Sequence, residues 1–255
     1  MFGTSSPFPL SDRTLRKFTG KGPRYDFLAM MASRSRQFLK DDFDGKALNT
    51  TDTWSITATS TATTWAVLAE AGGWIRGVTG ASVATAGLQI YNPNKFWDGT
   101  RGAGVAALIR LSAVTDIRVE MGFGDVIPAN SVTAVNYASN TFNSITTGAV
   151  YLFDNGVAAS STVTGLFTIG TSTAFNAVAT TTNRFASGVA LFVALEIDGT
   201  EVRAWAGDGD APVASHVGAF AASEAWLPFL NFKGLGATKN IDLDCIWTWS
   251  LSRKA

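Results

Sequence analysis

Apolar and polar residues alternate with a period of two along much of this chain, and the clearest run is VALFVALEIDGTEVRAW, residues 189–205. It reads as two strands joined at Asp198-Gly199, a dipeptide suited to the positive φ values of a tight hairpin turn. A two-residue loop there sets Leu195 opposite Val202 and Val193 opposite Ala204, with Ile197 beside the turn. Val193, Leu195, Ile197 and Val202 then share one face, and Phe192, Glu196, Glu201, Arg203 and Trp205 share the other. Burying the first four contributes about 1.5–3 kcal/mol each before entropy is counted. The hairpin is predicted to lie at the centre of an antiparallel sheet.

Short strands separated by Gly, Asn, Asp and Pro are predicted on either side. Before the hairpin they fall at Thr53–Thr57, Trp65–Leu68, Gly73–Val78 and Gly87–Tyr91. Val105–Leu111 and Asp116–Phe123 read as a pair flanking the connection Ser112–Thr115. In the second of these, Ile117, Val119 and Met121 face one way, and Arg118 and Glu120 the other. Residues 129–183 are rich in Thr, Ser, Ala and Asn with isolated aromatics, which suits strands with long loops or an insertion packed on a neighbouring subunit. Trp226–Phe232 gives another strand. In the last, Asp242–Leu251, the residues Leu243, Cys245, Trp247, Trp249 and Leu251 alternate with Asp242, Asp244, Thr248 and Ser250, and only Ile246 breaks the polar side. With no βαβ rhythm, the pattern predicts an antiparallel β-sandwich.

The first 40 residues differ in texture. Pro7, Pro9, Gly20, Gly22 and Pro23 interrupt any periodicity up to residue 24, which predicts an extended arm. Residues 25–39 allow a short amphipathic helix, with Phe27, Met30, Met31, Arg34 and Phe38 at helical spacing after Pro23. The domain division is an arm over 1–39 and a sandwich over 40–255. Net charge is zero, but residues 1–40 carry eight basic and two acidic residues, or +6; the other 12 basic and 18 acidic residues give −6. That asymmetry predicts an arm that docks on an acidic partner surface. Its candidate contacts are Phe8, Leu10, Arg13, Leu15, Arg16, Lys17, Phe18, Lys21 and Arg24, with cations to steer and apolar side chains to anchor. The cations are scattered rather than clustered, so protein contact is preferred over nucleic acid.

Composition removes several chemistries. Hydrophobic residues make up 46% and charged residues 16%, enough for one sizeable core. No apolar run is long enough to span a membrane, and the N-terminal residues lack the apolar stretch of a secretory signal. Cys245 is the one cysteine and His216 the one histidine, which leaves no disulfide, no cysteine-based metal site and no His-based triad. Asp208-Gly-Asp210 and Asp242-Leu-Asp244 offer hard oxygen donors for calcium, but the first is ordinary turn chemistry, and neither a metal nor a cofactor is assigned. Trp97, in Lys95-Phe-Trp-Asp98, is a candidate platform for a sugar ring.

Two resemblances bear on function. Glu196-Ile-Asp-Gly-Thr-Glu201 resembles the E-x-D-x-x-E run of a jelly-roll family of retaining glycoside hydrolases. That chemistry needs two carboxyls about 5–5.5 Å apart. A turn at Asp198-Gly199 breaks the uninterrupted strand it requires and sets Glu196 across from Glu201, so no catalytic residue is assigned and the chain is read as non-enzymatic.

The wider order of motifs runs Lys40-Asp-Asp-Phe43, Gly73-Trp-Ile75, Gly87-Leu-Gln-Ile90, Ala107-Leu-Ile-Arg-Leu-Ser112, Glu120-Met-Gly-Phe-Gly-Asp125 and Leu195-Glu-Ile-Asp-Gly199, then a Trp-bearing last strand. It resembles the concanavalin A-like jelly rolls in structural proteins of tailed bacteriophages. The resemblance covers residues 40–254. It implies a lectin-like jelly-roll sandwich and a virion protein, assembled in the host cytoplasm, that decorates or reinforces a capsid. The implied partners are other virion proteins and copies of the chain, with a trimer preferred. The alternative it implies is a carbohydrate-binding tail or fibre module.

Overall fold

The computed structural model describes residues 37–41, 43, 50, 54–58, 64–69, 73–81, 87–93, 97, 102–127, 134–136, 139, 141–156, 163–169, 177–199, 201–207, 211–217 and 226–250. The strands are β1 (Gln37–Asp41), β2 (Ser55–Ala58), β3 (Thr64–Val67), β4 (Ile75–Val78), β5 (Gly87–Tyr91) and β6 (Ala103–Leu111). Next come β7 (Ile117–Gly124), β8 (Val135–Asn136), β9 (Thr141–Phe142), β10 (Gly148–Asn155), β11 (Val163–Ile169) and β12 (Ala177–Thr180). The last are β13 (Ala190–Asp198), β14 (Glu201–Ala206), β15 (Ala214–Val217), β16 (Leu227–Gly234) and β17 (Asn240–Ser250). They form an eight-stranded sheet in the order β15-β14-β13-β6-β17-β4-β3, with β1 on β17, a seven-stranded sheet in the order β12-β11-β10-β7-β16-β5-β2, and a separate β8-β9 pair. Every pairing between strands is antiparallel.

The inward residues of both sheets make one core. Val105, Ala107 and Ile109 of β6, and Val193, Leu195 and Ile197 of β13, meet Val119 and Met121 of β7 and Leu230 and Phe232 of β16. Period-two alternation places these side chains on one side of each strand, as a sandwich interior requires. The sequence-predicted strands are present, with ends moved by a few residues.

The hairpin keeps its predicted faces but not its register. Ile197 pairs with Val202, Leu195 with Ala204 and Val193 with Ala206, while Asp198 pairs with Glu201. Asp198 is therefore the last paired residue before the turn, not part of it, and the turn begins one residue later than expected. The shift moves the pairing by two residues in total, so inside and outside are unchanged. Gly199 has φ +62° with nothing within 4 Å of an added Cβ. Gly199→Ala should then cost about 1–2 kcal/mol through the left-handed backbone alone; a shift in chemical denaturation midpoint with unchanged slope checks it.

Three expectations are corrected by the tertiary structure. Val105–Leu111 and Asp116–Phe123 do not pair with each other: β6 pairs with β13 and β17, and β7 with β10 and β16. The short connection between them arches from one sheet to the other, so Ile109 and Val119 face each other's sheet across the core. Gln37–Leu39, read as the end of a helix, are strand residues paired with Thr248–Ser250 of β17; the rest of that segment, 25–36, lies outside the described residues. β17, finally, does not alternate without interruption. Its register shifts between Leu243 and Cys245, so the side chains change face at Asp244, as at a β-bulge. Ile241, Leu243 and Ile246 point into the core. Cys245, Trp247 and Trp249 share the outer face with Asp242, opposite Leu108, Ala106 and Gly104 of β6. Ile246, the one exception in the predicted pattern, marks the true core face beyond the bulge.

Candidate functional site

A sandwich has two outer faces, and the residues on each follow from register. On the seven-stranded sheet one row across the strands reads Thr57, Gln89, Asn231, Glu120 and Leu152. The next reads Gly87, Lys233, Arg118 and Asp154. On the other side lies Ser55, Tyr91, Phe229, Gly122 and Val150. Side chains in a row are neighbours on one face, close enough to interact.

The β10–β11 half of this face is covered. Ala134, Val135, Phe142 and Ile145, from the segment carrying β8 and β9, pack on Val150, Leu152, Phe167, Ile169 and Phe229. Glu120 ties that cover to the sheet. Its carboxylate accepts from Ala134 N at 2.7 Å and Val135 N at 3.0 Å, and from Asn231 Nδ2 at 2.9 Å. Arg118 Nη1 donates to Val135 O at 3.1 Å, and the same guanidinium pairs with Asp154. Burial pushes the Glu120 carboxyl above its ordinary range; Arg118 and the three donors pull the other way and are outweighed. Glu120 is thus a fastening for the cover, with no exposed surface.

The β2–β5–β16 half is polar, with Gln89 as well as Asn231 buried. Thr57 donates to Gln89 Oε1 at 3.0 Å, and Thr57, Tyr91 and Lys233 are half-buried. Asn231 is buried, and its Oδ1 accepts no hydrogen bond from the described residues. Lys233 has its pKa lowered, first by burial and then by the neighbouring Arg118, with Glu120 opposing. An aromatic ring beside amide, hydroxyl and ammonium groups on a rigid sheet is a surface able to hold a polar ring compound by stacking and hydrogen bonding.

The residues singled out in the sequence are placed differently. The arm contacts Phe8, Leu10, Arg13, Leu15, Arg16, Lys17, Phe18, Lys21 and Arg24 lie outside the described residues. Glu196 and Glu201 do not face each other: Glu196 pairs with Arg203 and Glu201 with Asp198. Glu196 is buried, and Arg203 Nε donates to Glu201 Oε1 at 2.7 Å. That hydrogen bond is the main reason the Glu201 carboxyl is held below its ordinary range. Trp97 is 1% exposed and bridges to Trp226, so it offers no face to a sugar. Asp242 takes a two-point contact from Arg76, at 2.7 and 2.9 Å, and another bond from Arg110 at 2.8 Å. Asp208 and Asp210 lie outside the described residues, among which no three His, Cys, Asp or Glu side chains gather to hold a metal.

Sequence reasoning missed the polar row itself. Its signals were present: Glu120 and Arg118 on the outer side of their strand, Asn231 and Lys233 alternating with Leu230 and Phe232, and Gln89 between Leu88 and Ile90. Strand order, which no local pattern supplies, brings them into line.

No protein-family model matches the chain, and no curated protein matches it. Solved structures do. The carbohydrate recognition domain of Emp47p superposes with a TM-score of 0.58 at 12% identity, covering 86% of this chain and 98% of that one. LamAcat from Zobellia galactanivorans gives 0.56 at 11% identity, covering 86% and 100%. A β-1,3-glucanase from Mycobacterium marinum gives 0.54 at 14%, covering 83% and 97%. At such identities the likeness is one of fold, and the chain has the all-β, two-sheet antiparallel sandwich of the concanavalin A-like lectins and glucanases.

Proposed function

We propose that this chain is a non-catalytic, lectin-like module that binds carbohydrate on the polar half of the outer face of its seven-stranded sheet. The observation that carries the reading is the row Thr57, Gln89 and Asn231 with Tyr91 and Lys233 beside it, on a fold shared with carbohydrate recognition domains and glucanases. Fold alone does not choose between binding and hydrolysis; the described carboxylates favour binding. Glu120 is fastened to backbone N–H groups and Asp154 to Arg118, Glu196 is buried, and Glu201 is bound by Arg203. Among these four carboxylates, no pair stands open across a bond to be cleaved.

A glycan array should give selective binding, and β-glucan or galactan should release no reducing sugar. Hydrolysis abolished by Glu196→Gln or Glu201→Gln would overturn the non-catalytic part, and an array without selective binding would overturn the rest.

A second reading, a virion protein that decorates or reinforces a capsid as an oligomer, is supported by the order of motifs and by the +6 charge of residues 1–40 against the −6 of the remainder. On this reading the arm docks on an acidic surface of the shell or a neighbouring subunit. β1, pairing through Gln37–Asp41 with β17, joins that segment to the eight-stranded sheet. A protein lacking residues 1–24 should fold yet fail to join particles; unimpaired assembly would remove this reading.

A further inference from the structure

We propose that residues 25–36, the segment outside the described residues that leads directly into β1, cover the outer face of the eight-stranded sheet with their apolar side chains. The domain then begins near residue 25, and only residues 1–24 form the arm. The proposal concerns the sheet opposite the candidate carbohydrate site and does not depend on that reading.

By register, one outer row of this sheet runs Trp205, Ala194, Ala106 and Trp247, and the next runs Arg203, Glu196, Gly104 and Trp249. Phe192 lies in the row on the other side, its ring tilted against that of Trp247 with centroids 6.2 Å apart. Four aromatic side chains of about 150–250 Å² each exceed the few hundred Å² of contiguous apolar surface that a monomer exposes. Trp205, Trp247 and Trp249 are 2%, 1% and 0% exposed, so a further layer lies over them. The described strands do not supply it. All of them belong to the two sheets except β8 and β9, and those pack on the seven-stranded sheet. Burial on this face is deepest where β1 runs alongside Ile246–Ser250, and it falls away toward exposed Ala190 and half-buried Arg110 at the other end.

Position and length select the segment. Gln37 pairs with Ser250 and Phe38 with Trp249, so the chain enters β1 beside the Trp249 row. From β1 across β17, β6 and β13 to Trp205 on β14 is four strand spacings, about 19 Å. The 12 residues 25–36 span about 18 Å as a helix and more when extended. Phe27, Met30 and Met31 stand at helical spacing, a stripe that so short a segment orders only against an apolar surface.

The test uses Cys245, the one cysteine of the chain, buried on this face opposite Leu108, as a reporter. Its reaction with a thiol reagent should be slow in the native full chain. Combining Phe27→Ser, Met30→Ser and Met31→Ser in the full chain should speed it at least about tenfold, since a covered thiol reacts through its opened state. Tryptophan emission should move to the red, while amide exchange in β7 and β16 of the other sheet stays as in the parent. A protein lacking residues 1–24 should match the parent, and one lacking residues 1–36 should match the triple variant. Unchanged protection in the triple variant means that another part of the chain covers the face, and protection that falls on dilution of the parent means that a second copy does; either overturns the proposal. So does full exposure on removal of residues 1–24 alone, or a rate that rises only together with exchange in β7, which reports unfolding.

Discussion

Replacing Glu120 with alanine should unfold part of the seven-stranded sheet's cover and lower global stability by about 3–5 kcal/mol, the range for removing one partner of a buried charged network. Three donors lose their acceptor at once: the backbone N–H groups of Ala134 and Val135, and the amide of Asn231. Each buried donor left unsatisfied costs about 1–3 kcal/mol. The fastening also holds Ala134 and Val135 over Val150, Leu152 and Phe167, so amide exchange at 134–135 should rise more than exchange in β6 or β13. Equal protection in the variant would show that apolar packing alone holds the cover.

The same carboxyl makes a pH prediction through Glu120→Gln, its neutral mimic. The folded-state pKa of Glu120 is raised by burial, so the folded protein binds this proton more tightly than the unfolded chain. The associated stability is fully present below the ordinary carboxylate range and is lost as pH rises through the raised value. The parent should lose ground against Glu120→Gln over that interval, read from melting midpoints of the two proteins. A constant difference across the interval would mean that the carboxyl does not titrate there.

Replacing Gly104 with alanine should destabilise the protein by about 3 kcal/mol, the upper end of the range for overpacking a core, whereas deleting Asp244 should leave β17 with its faces intact. An added Cβ at Gly104 would lie 2.0 Å from Trp249 Cζ2 and 2.1 Å from its Cε2, and Trp249 is fully buried, so the indole must leave its place. Asp244 is the residue at which β17 shifts register against β6. Leu243 pairs with Ile109 and Cys245 with Leu108, so without Asp244 the inward Leu243 is followed by the outward Cys245 in ordinary alternation, and Ile246, Trp247 and Trp249 keep their partners and faces. Denaturation midpoints of the two variants check the result. A Gly104→Ala protein as stable as the parent would show that Trp249 can move at little cost, and an unfolded deletion protein would show that the bulge itself is required.

Local pattern was sufficient for most strands because a half-buried strand declares its two faces by alternation. VALFVALEID and EVRAW yielded the right inside and outside even though Asp198 is paired and the turn begins after it, since a two-residue change of pairing leaves both faces unchanged. The face of β7 was legible in the same way, with Val119 and Met121 inward and Glu120 outward. Charge asymmetry and the absence of cysteine and histidine clusters are also properties of sequence alone.

Tertiary structure decided what alternation cannot encode. A bulge reverses the faces of β17 at Asp244 because one residue is absorbed without a partner, a matter of what β6 and β1 present on either side. β6 and β7 are adjacent in sequence yet belong to different sheets, because their short connection crosses the core instead of turning within a sheet. The candidate site depends on the same kind of information. Thr57, Gln89, Asn231 and Glu120 are scattered over the chain, and they form one row only because β2, β5, β16 and β7 are neighbours in space. Each is a polar residue beside apolar neighbours in its own strand; long-range pairing made them one row.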